Sequence, residues 1–451
     1  MSESETKQKI LDLVATLIQE RETNTKWTPG VDWVKYAGPV FDENEYVKAI
    51  DTLLSGWIIF GENGRKFEDV FPDHLGKEHG VLTNSGSSAN LLMIAALMSE
   101  RAPENVRLRK GDKIITPVTC FPTTINPLIQ HGLVPIFVDV EIPSLNLDLD
   151  EVEAILKAEG DIRGITFAHV LGNPPDMNRL MALVEKYNLV FIEDACDALG
   201  SFYDGEKLGS FGVVSSCSFF PAHHMTLGEG GFVATDDYKL RKIITSCRDW
   251  GRACFCNEKK PGDVTCETAC GNRFRNWLPG RADITYDHRY VFDEIGYNLK
   301  PIDLQASIGL EQVKKLPMLD EARRVNFKKL DKIFSNYNEY LCTPIATDKA
   351  DPCWFGYLMI VKGDAPFKKS ELVNFLESKN IQTRSYFTGN ALYHPAYQKL
   401  AAGYDDVQAR FPNADIATRG AIFLGTFAGL TDKKINYIGD CVDEFMRAYA
   451  A

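Results

Sequence analysis

The feature that most constrains this chain is the run from about residue 80 to 235, where short β-rich segments alternate with helical patterns. Strands are predicted at Lys113–Thr116, Pro135–Val138, Gly164–His169, Leu189–Glu193, Val213–Phe219 and Phe232–Ala234. Helical patterns at Ser88–Met98, Glu151–Lys157 and Met177–Tyr187 lie between several of them. Strands joined through helices of this length are βαβ units, and such crossovers build parallel sheets. The expected fold class is α/β: a large, mostly parallel-sheet αβα domain, with a smaller α/β domain after it.

At 451 residues the chain suits two or three domains. The expected division is a helical and extended N-terminal segment (1–42), a large domain (43–320) and a small C-terminal domain (321–451). Further helices are predicted at Glu43–Leu54, at Ile302–Leu316 opened by Pro301, from about Asp320 to Tyr337, at Lys369–Ser378 and near Lys434–Ala448, with a strand at Leu358–Val361. The block 253–288 breaks the alternation, being rich in Cys, Gly, Pro and Arg, and reads as an ordered or ligand-bound insertion.

A net charge of −12 argues against general binding to nucleic acid or to an anionic membrane surface. The N-terminal stretch lacks the basic start and apolar core of a secretory signal, and no run approaches a membrane span. A cytoplasmic protein is expected, and its 11 cysteines then point to thiols or a metal rather than to disulfides.

Three segments could carry chemistry. Asn84-Ser85-Gly86-Ser87-Ser88-Ala89-Asn90 leads into an apolar helix, where free N–H groups and hydroxyls suit an anion; an ordinary Ser-capped helix reads the same way. Val190–Asp194 is an apolar strand ending in acid, at the strand end where α/β sheets gather ligands; it could equally be a polar strand end capping the next helix. The segment from Ser218 to Gly231 holds His223 and His224 before a Gly-Glu-Gly-Gly turn. Adjacent residues of a strand face opposite ways, so one histidine at most serves a given pocket, and a satisfied His pair is the plain alternative.

Taken together, these segments resemble the sugar aminotransferase/dehydrase family of fold-type-I vitamin B6 enzymes. The likeness continues in Phe121-Pro122-Thr123-Thr124, Gly296-Tyr297-Asn298 and Asp303-Leu304-Gln305-Ala306, and spans roughly residues 45–450. It implies that Gly86, Ser87 and Ser218 bind the phosphate of pyridoxal or pyridoxamine phosphate (PLP/PMP). It further implies that Phe121 stacks on the ring, that Asp194 pairs with the ring nitrogen and that Asp197 lies near the ring hydroxyl. Asn298 would reach the phosphate of a neighbouring subunit, hence a homodimer. The position that holds lysine in the aminotransferases is His223 here. Histidine cannot form a Schiff base, but a neutral imidazole can act as a general base. The implied outcome is dehydration at C3 rather than amino transfer.

The cysteines narrow the resemblance to the [2Fe–2S]-bearing 3-dehydrases of that family. Cys196 follows Asp194 by two residues, and Cys254 and Cys256 follow Trp250-Gly251-Arg252. With Cys270, before Gly271-Asn272-Arg273-Phe274, they are the implied cluster ligands, and Cys266 competes with Cys270 for the fourth place. Four thiolates suffice for such a cluster. The implied substrate is a nucleotide-linked 4-keto-6-deoxyhexose, CDP-4-keto-6-deoxyglucose in 3,6-dideoxyhexose biosynthesis, with electrons from a flavin or iron–sulfur reductase. Phe220 stands where these dehydrases usually carry Tyr, and Leu424–Leu430 lacks their proline. The alternatives are a cluster-free dehydrase using glutamate, a 3-dehydrase of a TDP-linked antibiotic sugar, an ordinary sugar aminotransferase, and a zinc-stabilised binding protein on an inactive B6 fold.

Overall fold

The computed structural model describes residues 2–254 and 273–449. Seven strands form the main sheet: β1 (His79–Thr83), β2 (Lys113–Pro117), β3 (Val134–Val138), β4 (Ile162–Ala168), β5 (Val190–Asp194), β6 (Val214–Ser218) and β7 (Gly231–Thr235). Their order across the sheet is β1-β7-β6-β5-β4-β2-β3. The pairs from β6 to β3 are all parallel, and β7 runs antiparallel to both β6 and β1. Because β1 is reached across the one reversed strand, its C-terminal end lies on the same edge as those of β5 and β6. The α/β expectation holds, and each predicted strand is present to within two residues at either end.

The sheet has two apolar faces, as a covered parallel sheet requires. Along β5, Val190 and Ile192 belong to one buried cluster and Phe191 to the other, the two-residue alternation of a strand. The first face is covered by the helix Gly86–Met98, whose residues are buried nearly all round, and by Tyr238–Arg248. A helix apolar on every side belongs in an interior.

Strand β1 is absent from the sequence reading because Gly80 interrupts its apolar run. The structure gives the reason for that glycine: a Cβ there would stand 2.0 Å from the Phe232 ring of the paired strand. The two helices predicted on either side of Pro317 are a single helix, Asp303–Phe334, with the proline inside. An interior proline costs about 3 kcal/mol through its missing N–H and a steric clash. Burial of Leu316 and Leu319 beside the proline, and of Leu330 and Phe334 farther along, offsets that cost. Ile302 is the N-cap, so Pro301 precedes the helix rather than opening it.

Beyond this helix, a four-stranded antiparallel sheet is built from β8 (Leu341–Cys342), β9 (Gly356–Val361), β10 (Arg384–Ser385) and β11 (Ala421–Gly425), in the order β8-β9-β11-β10. The helices Lys369–Ser378 and Asp432–Arg447 contribute to its core. In the irregular block, Phe274–Arg275 pairs with Tyr286–Asp287. Among the described residues, no helix is long and apolar enough to cross a membrane.

Candidate active site

The C-terminal ends of β1, β4, β5 and β6 feed a cavity of about 420 Å³, where α/β sheets place their ligands. It is bordered by Gly86, Ser87, Phe121, Asp194, Cys196, Asp197, Ser218 and His223. The small sheet closes it from the other side with Phe355, Arg384, Phe387 and Phe423. Among the described residues, no lysine borders it.

The end of the cavity at this helix start rests on close backbone packing. Ser85 caps the helix Gly86–Met98, its hydroxyl accepting from the Ser88 N–H at 3.1 Å, so the first-turn N–H groups of this helix open toward the cavity. A Cβ on Gly86 would stand 2.5 Å from the Ser218 Cβ, and one on Gly231 would stand 2.2 Å from the Ser85 carbonyl oxygen. Both positions require glycine for space alone. The capped-helix reading of this segment holds, and the same helix start borders the cavity.

Asp194 closes β5 on the face packed by the same helix. Its Oδ2 accepts from Asn90 Nδ2 at 2.7 Å and from Thr124 Oγ1 at 2.8 Å, and its Oδ1 accepts from the Cys196 N–H at 3.1 Å. Ser216 Oγ in turn donates to Asn90 Oδ1 at 2.6 Å. The carboxylate is thus fixed in one orientation by three donors. Its neighbour Glu193 points through the other face, where it meets His169 Nε2 at 2.9 Å and accepts from the N–H groups of Gly209, Phe211 and Gly212. Of the two acids that end the strand, only Asp194 serves the cavity.

His223 and His224 lie past the end of β6, in bends rather than in the strand from which they were expected to emerge. They still diverge. His224 is buried and donates Nε2 to the Cys353 carbonyl at 2.6 Å, whereas His223 borders the cavity with Nδ1 3.4 Å from Asp197 Oδ1. Burial, reinforced by the nearby Arg323 guanidinium, pushes the His223 imidazole down to about 3. Burial, together with the charge of Asp194, pushes the Asp197 carboxyl well above the ordinary range. The imidazole is therefore held as the free base at neutral pH.

Phe121, at the N-cap of the helix Pro122–Gln130, is 47% exposed and presents an open ring to the cavity, edge-on to Phe387. Phe220 also borders it, so a phenol is absent at that point. Asn298 does not border the cavity of its own chain; it is exposed and pairs by its backbone with Asp249. Cys196 borders the cavity, with Sγ 3.7 Å from Ser216 Oγ, whereas Cys254 is partly exposed away from it. Cys256, Cys266 and Cys270 lie outside the described residues. Among the described residues, no group of three or more His, Cys, Asp or Glu could hold a metal ion.

Sequence reasoning missed the contributions of the small sheet. Arg384 stacks its guanidinium on Tyr36 at the cavity edge, 4.0 Å from the ring centroid, and Phe355 lies 5.1 Å from the His223 ring. Neither carries a local motif. Thr124 and Asn90 do sit in the segments singled out, and the signal for them was hydrogen-bonding side chains in otherwise apolar helices.

Comparison with known proteins agrees with this geometry. The chain is 41% identical to dTDP-4-dehydro-2,6-dideoxy-D-glucose 3-dehydratase of Saccharopolyspora spinosa, over 98% of this chain and 92% of the relative. It is 38% identical to the lipopolysaccharide biosynthesis protein RfbH of Salmonella typhimurium, over 99% of each. Among solved structures it resembles the E. coli GDP-4-keto-6-deoxy-D-mannose-3-dehydratase with bound hydrated PLP, with a TM-score of 0.77 and 29% identity over 91% of this chain and 99% of the other. Residues 39–443 match the family model, and the chain belongs to the DegT/DnrJ/EryC1/StrS aminotransferase family.

Proposed function

We propose that this protein is a PLP/PMP-dependent 3-dehydratase of a nucleotide-linked 4-keto-deoxyhexose, with a dTDP-linked sugar as its substrate. The observation that carries the reading is the histidine at the cavity wall, where no lysine among the described residues is placed to transfer an amino group by way of the cofactor. The dTDP assignment replaces the CDP-linked sugar expected from the sequence alone, because the Saccharopolyspora relative is named for a dTDP sugar and the name of the Salmonella relative specifies no nucleotide.

The residues present suit the cofactor. The cradle between Gly86 and Ser218 would be filled by a single Cβ, and the buried, thrice-bonded Asp194 is an anionic partner of the kind a protonated ring nitrogen needs. Gly86, Ser87 and Ser218 would hold the phosphate, Phe121 would pack on the ring and Asp197 would lie near its hydroxyl. Asn298 would complete the phosphate site of a second subunit in a homodimer. The bound cofactor supplies an amine that condenses with the keto-sugar and a ring that accepts electrons.

With Nδ1 turned to Asp197, Nε2 of His223 would be the nitrogen left to take up a proton from the bound cofactor. An imidazole kept uncharged by its surroundings is available for that step at every physiological pH. The apolar walls of Phe355, Phe387 and Phe423 keep water from the reacting carbons.

Removing the C3 oxygen needs two electrons. A [2Fe–2S] cluster on Cys196, Cys254, Cys256 and Cys270, fed by a flavin or iron–sulfur reductase, is the source we favour, because Cys196 borders the cavity two residues after the cofactor acid. Glutamate is the other electron source. The deciding experiment incubates anaerobically purified protein with PMP and either the dTDP- or the CDP-linked 4-keto-sugar. A reductase system, glutamate or neither is then added, and the sugar is weighed by mass spectrometry. Loss of one oxygen from the dTDP sugar with reductant is the expected result. Formation of an amino sugar would overturn the dehydratase reading, and turnover driven by glutamate alone would remove the cluster from it.

A further inference from the structure

Arg323 lies in the middle of the long helix Asp303–Phe334 and is 2% exposed. Burying a guanidinium costs several kcal/mol unless it is well paired, and a leucine or methionine would fill such a place at no electrostatic cost. Yet among the described residues Arg323 makes no ion pair. Nη2 donates to the His223 carbonyl at 2.8 Å and reaches the Ala222 carbonyl at 3.4 Å. Nη1 donates to the Phe355 carbonyl at 3.1 Å and reaches Thr426 Oγ1 at 3.4 Å. One turn along, Asn326 Nδ2 donates to the carbonyls of Thr426 and Phe427 at 3.2 and 3.0 Å. A planar fork of donors thus gathers the bend that carries His223, the start of β9 and the end of β11, three segments that are far apart in sequence.

We propose that Arg323 is a positioning residue for the reaction: its guanidinium fixes the backbone of the His223 bend against the small sheet. This rests on the reading of His223 as the base. One consequence separates it from a residue that merely fills the core. The fork sets where the ring stands relative to Phe355 and Asp197, which concerns the chemical step more than the binding of sugar or cofactor.

The test compares Arg323→Met and Arg323→Lys with wild type in the full-length, cofactor-loaded enzyme by steady-state kinetics, and measures PMP affinity of each by fluorescence titration. For Arg323→Met we expect kcat lowered 10- to 100-fold while KM and PMP affinity stay within threefold of wild type. Arg323→Lys keeps the charge without the fork, so it should lose kcat in the same way. A folded Arg323→Met with wild-type kcat, or one that loses KM and PMP affinity along with kcat, would overturn the proposal. Should that variant not fold, wild-type kcat in Arg323→Lys overturns it instead. If wild type itself turns over no keto-sugar, it is the dehydratase reading that fails, and the proposal falls with it.

Discussion

Nδ1 of His223 faces Oδ1 of Asp197 across 3.4 Å, and both side chains are largely withdrawn from water. Because burial and Arg323 hold the imidazole uncharged in the folded chain, down to about 3, an unfolded chain takes up a proton below about pH 6.5 that the native protein refuses. The unfolded state then binds more protons throughout that window, so native stability is full above pH 6.5 and falls as the pH drops toward 3. Between pH 7 and pH 5 this single group should cost about 2 kcal/mol. Urea unfolding at the two pH values should show that loss in wild type and a smaller one in His223→Gln. Equal losses in both would mean that the imidazole titrates normally.

Asp194→Asn preserves the shape of the side chain and leaves an oxygen for Asn90 and Thr124, but removes the charge and turns an NH2 toward the Cys196 N–H. The fold should survive with a modestly lowered Tm. A charge-assisted hydrogen bond contributes about 1.5–3 kcal/mol, so PMP affinity measured by fluorescence titration should fall roughly 10- to 100-fold. Wild-type affinity in this variant would mean that Asp194 does not face the ring nitrogen.

If the cysteines carry a cluster, anaerobically purified protein should be brown, with about two irons per chain. Cys196→Ser should lose that iron, since it removes the ligand that borders the cavity. Comparing Cys270→Ser with Cys266→Ser identifies the fourth ligand: iron lost only in the latter reverses the assignment that the family resemblance implies.

What could be read from the sequence follows the range of the interactions. The parallel strands and the helices between them were legible because hydrophobic periodicity is local, and the Asp194 and Gly86 segments were legible because strand ends and helix starts mark where such sheets bind. Strand β1 was hidden by Gly80, whose purpose is the Phe232 ring on another strand. The unbroken helix through Pro317 was hidden because its compensation is burial against distant segments. Phe355 and Arg384 reach the site through packing of the small sheet on the large one, and Arg323 through the long helix packed against both, and no local pattern encodes that.

Gly86 offers a test in which binding and stability should part company. The position is helical and free of backbone strain, so alanine should favour the helix by roughly 0.5–1 kcal/mol. Its Cβ, however, would meet Ser218 at 2.5 Å from Cβ and 2.7 Å from Oγ, and Ser218 closes a paired strand that cannot swing away without disturbing β7. Gly86→Ala should therefore lower Tm slightly and weaken PMP binding at least tenfold. Adding Ser218→Gly removes both atoms of the clash but also the hydroxyl, so the double variant should regain stability while its affinity stays low. Such non-additivity is the mark of two residues in direct contact. If the two substitutions instead add independently in both measurements, Gly86 and Ser218 do not form one cradle, and the phosphate site must lie elsewhere along the helix start.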